Sequence, residues 1–219
     1  MPLADVEIVD DWQVLGLLGT GSKSLVLHDV FVPEHRSVVV SDFFAGTLPG
    51  ALVHPDYPVL RAPRGFLVSY SLPPVAIVLG RRALDVACAT LATRVLRGVT
   101  RVAESEVVQM AIGEAAAAID VATSLSHAGR EASTAAVSSG RRITEAEALR
   151  ARRDMVYAQH QVGWALDRLC ELDGARWVYD SDQLGAIRRD VMTILTHHAA
   201  SRQAAMAPYG RMLLTRNAG

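Results

Sequence analysis

Cysteine is almost missing from this chain. Its 219 residues hold two, Cys88 and Cys170, and both fall in apolar helical patterns where buried thiols are expected. A disulfide framework is thereby excluded, and a reducing, cytoplasmic setting is the expectation. Charge of either sign is not in excess: 22 basic against 23 acidic residues leave a net charge of −1. That balance gives no reason to expect nucleic acid or an anionic membrane as a partner. No basic leader precedes an apolar run, and no uninterrupted apolar stretch reaches about 18 residues, so neither a signal peptide nor a membrane span is expected. Internal repeats and low-complexity tracts are lacking as well.

Half of the residues are hydrophobic, so a sizeable core is available. The first 45 residues read as β structure. Three short strands are expected, at 6–9, 12–17 and 25–32, on β-branched and aromatic residues between glycine and proline punctuation. Three strands alone form a poor sheet, and their edges call for partners. Residues 46–72 carry Pro49, Pro55, Pro58 and Pro63 with Tyr57 and Phe66 among them. This reads as a long irregular connection packed against something.

From Pro73 apolar residues recur at three and four, and 73–219 reads as a bundle of four long helices. The first would run to about Gly98. The second starts near Ser105 and ends before a small, polar loop at 133–140. Its alanine-rich middle, Ala115 to Ala118, would let a neighbouring helix come close. Thr144 and Glu147 form a capping box for the third, with Gly174 just past its end. Asp180, Ser181 and Asp182 are N-cap candidates for the fourth, which Pro208 would stop.

Few residues stand out chemically. Gly19-Thr20-Gly21-Ser22-Lys23 fails the phosphate-loop spacing and reads as a tight turn. His197 and His198 fall mid-helix in this reading, about 100° apart, so one at most lines a given cleft. An ordinary histidine titrates where acid–base chemistry needs it, although helical histidines are more often structural. Neither has a metal-ligand partner four residues away, so no metal is expected. Arg94, Arg97 and Arg101 near the end of the first helix could meet a phosphate, or simply favour a helix C-terminus.

The run from Trp12 through Gly19-Thr20-Gly21-Ser22-Lys23 to Val30-Phe31-Val32-Pro33-Glu34 resembles the end of the β-domain in the acyl-CoA dehydrogenase superfamily. Cys170 to Arg176, Tyr179 to Asp182, Arg189-Asp190-Val191, His197 and Tyr209-Gly210-Arg211 extend the resemblance. It points to the reduced-flavin monooxygenases of that fold: two-component phenol and steroid-phenol hydroxylase oxygenases, dibenzothiophene monooxygenase and amino-sugar N-oxygenases. The implied fold is mainly α, a partial β-domain followed by a four-helix bundle, with only the C-terminal half of the family chain present.

The same resemblance implies function. A small aromatic or secondary-metabolite substrate would be hydroxylated through a flavin C4a-hydroperoxide. The cofactor would be reduced FMN or FAD supplied by a separate reductase. His197 would face the reacting oxygen, and Ser22, Arg97 and Arg101 would neighbour the flavin, the arginines from an adjoining subunit. A homo-oligomer, dimer or tetramer, would form through the bundle, and a partner chain would supply the missing half. No Asp or Glu accompanies His197, which argues against acyl-CoA dehydrogenation. A flavin-free cyclase or isomerase and a non-catalytic assembly subunit are the alternatives.

Overall fold

The computed structural model describes residues 2–45, 47, 49–62, 66, 69–96 and 100–216. Among them, five long helices carry the fold: α1 (Pro73–Thr93), α2 (Glu106–Ser138), α3 (Glu145–Asp173), α4 (Gln183–Thr196) and α5 (Arg202–Arg216). The described strands form two antiparallel ribbons. β1 (Glu7–Val9) pairs with β2 (Ser24–Val26), with Ile8 opposite Leu25, and β3 (Val95–Leu96) pairs with β4 (Thr100–Arg101). A short helix at Val40–Ala45 precedes the long connection, and another at Gly50–Val53 breaks it up.

Small residues set how closely the bundle packs. Ala76 and Ala83 on α1, Ala115 and Ala122 on α2, and Ala158 and Ala165 on α3 are all completely buried. Each pair is seven residues apart, so each marks one stripe of its helix. A Cβ on Gly80 would lie 2.8 Å from Val162 Cγ1, so glycine is required where α1 crosses α3. Ile119, Met155, Leu166, Leu169 and Ile194 fill the space between the helices, each adding about 1.5–3 kcal/mol.

Helix ends follow from specific side chains. Thr144 and Glu147 make the expected capping box, and Arg141 reinforces it through Glu147. Asp182 caps α4 by accepting from the Gly185 amide at 2.8 Å. Gly174 takes a left-handed φ of 69° just after α3. Arg94 leaves α1 extended and donates from Nη1 to the carbonyls of Leu172 and Asp173, at 3.3 and 3.0 Å. These bonds turn the chain into the β3–β4 ribbon, so α1 ends at Thr93 and not near Gly98.

Other expectations change. The run 12–17 is not a strand: Leu17 adopts φ 57°, and its amide is bonded outside any ladder. The run 25–32 keeps strand geometry only to Val26, and Asp29 turns away with φ 49°. The supposed loop at 133–140 is mostly helix. Ser133 Oγ donates to the Gly129 carbonyl and Ala136 is buried, so α2 continues to Ser138 before turning at Gly140. The fourth helix is two helices, and Pro208 lies inside α5. Cys170 is buried, but Cys88 is exposed, one position round from the buried Ala87. By length and composition α2 could cross a membrane, though 33% of that window is buried in the bundle.

Thr144→Ala should lower stability by about 1 kcal/mol, read from the urea midpoint. The Arg141 guanidinium, then the Thr144 amide, hold the Glu147 carboxyl down at about 2. A depressed acid stabilises the fold above its unfolded value and loses that contribution as pH falls. The stability gap between parent and Glu147→Gln should therefore close between pH 4.5 and about 2.

Candidate active site

The N-terminal hairpin is built as a rigid arm. Asp11 accepts from the Ser24 amide at 3.0 Å and from the Ser24 hydroxyl, closing the base of the loop. These bonds hold the Asp11 carboxyl below its ordinary range. Lys23 pairs with Asp10 at 2.7 Å. Within the loop, Trp12 Nε1 and the Thr20 hydroxyl both donate to the Leu17 carbonyl, at 3.1 and 2.8 Å.

The loop then docks on α4. The Leu17 amide donates to Asp190 Oδ1 at 2.6 Å. Gly16 is buried, and a Cβ there would sit 2.2 Å from the Arg189 carbonyl. Only glycine permits this approach. A shallow groove between Leu15–Thr20 and the helix, bordered by Ala186, Arg189 and Asp190, results. His197 follows Asp190 by seven residues, about 10 Å along the axis, as the C-terminal cap of α4.

At His197 the helix breaks. His197 Nδ1 accepts from the Ala199 amide at 3.2 Å, while His160 Nε2 bonds the Ala200 carbonyl at 3.0 Å. Ser201 then caps α5 by accepting from the Ala204 amide at 3.3 Å. The histidines therefore sit on an exposed turn and not mid-helix, their rings 4.2 Å apart. With Nδ1 accepting, the neutral His197 ring carries its proton on Nε2, a donor. Partial burial, then the neighbouring His198, push its pKa below the ordinary value, which favours that neutral form near pH 7.

His198 and Ala199 also line a cleft of about 300 Å³ between α3 and the connection. Phe43, Phe44 and Leu72 form one wall, and Arg152, Met155, Val156 and Gln159 the other. Gln159 is buried, and its Oε1 has no hydrogen-bond partner among the described residues.

The expected site residues are not brought together as one cluster. Ser22 is exposed at the hairpin tip, and among the described residues its hydroxyl meets only Thr20 Oγ1, at 3.4 Å. Arg97 lies outside the described residues. Arg101 sits in β4, 73% exposed, with a long 3.9 Å ion pair to Glu104. Arg94 is committed to the end of α3 and is not available to a phosphate. Asp190 and Gln159 were missed as site residues. Asp190 stood within the quoted family motif, but nothing in its own surroundings signals a contact 173 residues away. For Gln159 the available signal was an amide among buried apolar neighbours, Val156 and Val162.

Known proteins share this fold. The family described as "Acyl-CoA dehydrogenase, C-terminal domain" matches residues 73–202, and this chain belongs to it. Its relatives include the oxygenase subunit HsaA of a flavin-dependent monooxygenase from Mycobacterium tuberculosis (strain CDC 1551 / Oshkosh). That protein is 30% identical over 215 residues, covering 96% of this chain and 54% of the relative. The chain thus spans about half the length of that curated relative. The crystal structure of 3-HSA hydroxylase from Rhodococcus sp. RHA1 superposes with a TM-score of 0.89 at 27% identity, over 98% of this chain and 56% of that one. XiaF from Streptomyces sp., solved with FADH2 and glycerol, gives 0.84 at 25% identity, over 98% and 54%. The mainly α fold and the resemblance to two-component reduced-flavin monooxygenases are thereby borne out.

Gly16→Ala should undock the arm without unfolding the bundle. Limited proteolysis should then cut within residues 11–27 at least about tenfold faster than in the parent, corresponding to a loss of about 1.4 kcal/mol or more. An unchanged cleavage rate would contradict the tight approach at Arg189.

Proposed function

We propose that this chain is the bundle-bearing, C-terminal portion of a reduced-flavin-dependent monooxygenase acting on an aromatic or secondary-metabolite substrate. The observation that carries the reading is the docking of the hairpin on Asp190, seven residues before His197 at the C-terminal cap of α4. The residues fit one wall of a flavin site. The Asp190–His197 span of about 10 Å suits a flat ring system laid along the helix, with Ser22 at the hairpin end. When bound, reduced flavin supplies the electrons that activate dioxygen. His197 donates a hydrogen bond through Nε2 and gives or takes a proton at the reacting oxygen. Arg101, with its long ion pair, is free to meet the phosphate of a flavin held mainly by a neighbouring copy, and Arg97 would join it.

Two exposed surfaces support an assembly. On α2, Val107, Met110 and Val121 are 66%, 57% and 47% exposed on either side of Glu114, apolar area that a second copy of the bundle would cover. On the hairpin, Leu25 is exposed and Phe31 is 83% exposed, and further β structure from a partner chain would cover them. A second reading, a flavin-free isomerase or cyclase, draws on the cleft that meets His198. Turnover surviving complete flavin removal would decide for it.

Anaerobic titration with reduced FMN and reduced FAD, alone and with a candidate partner chain, tests the proposal. Saturable binding of one flavin is expected, with two or four copies by native mass. His197→Asn should keep that binding and lower hydroxylation about a hundredfold or more. Absence of flavin binding under every condition would overturn the reading.

A further inference from the structure

The cleft beside His198 holds a polar atom that packing does not explain. Gln159 is 3% exposed, and its Oε1 has no partner among the described residues. A buried carbonyl left unbonded is unfavourable by about 1–3 kcal/mol. Its neighbours on α3, Val156, Ala158 and Val162, are buried and apolar, so another apolar side chain would serve the packing equally well. Seven residues earlier on the same stripe, Arg152 also lines the cleft. Arg150 and Arg153 both pair with Asp154, whereas Arg152 has no ion pair among the described residues. The cleft thus offers an unbonded acceptor and an unpaired cation about 10 Å apart along the helix, with aromatic rings from Phe43 and Phe44 between elements.

We propose that this cleft binds a two-ring aromatic acid carrying a hydroxyl, with Gln159 and Arg152 as the two residues that determine specificity. The hydroxyl donates to Gln159 Oε1, and the carboxylate takes the Arg152 guanidinium. The volume of about 300 Å³ is about twice that of a 150 Å³ cavity that accepts benzene, which sets the ring count. His198, on the adjoining wall, lines this cleft, while His197 closes the turn through Nδ1 and keeps Nε2 for the reacting oxygen. The proposal deepens the monooxygenase reading by naming what the site takes. Binding here needs no flavin, so the two ideas fail separately.

The test is a fluorescence titration of 6-hydroxy-2-naphthoate in the absence of flavin, beside 2-naphthoate and 2-naphthol. The parent protein should prefer the hydroxynaphthoate about tenfold over each analogue, about 1.4 kcal/mol per anchor. Gln159→Leu should lose the preference over 2-naphthoate and keep that over 2-naphthol. Arg152→Met should do the reverse. Each preference is a ratio within one protein, so general destabilisation does not mimic it. Gln159→Met, closer in shape, repeats the measurement if Gln159→Leu fails to fold. Equal binding of all three ligands by the parent, no saturable binding, or preferences that survive both substitutions would each overturn the assignment.

Discussion

The Leu17 amide donates to the Asp190 carboxylate at 2.6 Å across 173 residues, and the placement of the N-terminal arm rests on that contact. The acceptor carries a charge and both partners are partly buried, the circumstances in which one hydrogen bond contributes about 1.5–3 kcal/mol. Three features converge to make it. Gly16 lets the backbone reach the Arg189 carbonyl, Leu17 takes a left-handed turn, and Trp12 ties off the Leu17 carbonyl. The β1–β2 ribbon is too short to hold position by itself. Docked, it projects the Gly19–Ser22 turn beside the helix that ends at His197.

The bundle beneath is organised for rigidity. Alanines at seven-residue spacing on α1, α2 and α3, with Gly80 at the crossing, bring three helices into close contact. Against that background two polar side chains are buried among the described residues: Gln159, in the cleft wall near the break between α4 and α5, and Asp173, at the end of α3 beside Arg94. Gln159 lines a cleft, and a departure from apolar packing beside a cleft is where function is expected in a well-packed fold.

Much of the helical frame was legible because its signals are local. The Thr144–Glu147 box, the Asp182 cap and Gly174 each act within a few residues, and each stands where expected. What stayed hidden depends on contacts distant in sequence. The stretch 12–17 has strand-like composition, but its Leu17 amide is taken by α4. The break at His197 depends on His160 and on a backbone amide reaching a side chain, neither visible as a period. Small polar residues at 133–139 look like a loop until Ala136 is seen buried in the bundle. For the site, the family motif marked His197 and the hairpin, whereas Gln159 emerges only once its neighbours and its missing partner are known.

The most direct measurement is amide hydrogen exchange at Leu17 in the parent and in Asp190→Ala. If the Asp190 carboxylate anchors the arm, the Leu17 amide exchanges slowly in the parent and at least about tenfold faster in the variant, corresponding to about 1.4 kcal/mol or more, while amides in α3 keep their protection. Rapid exchange at Leu17 in the parent, or protection unchanged by Asp190→Ala, would contradict the account.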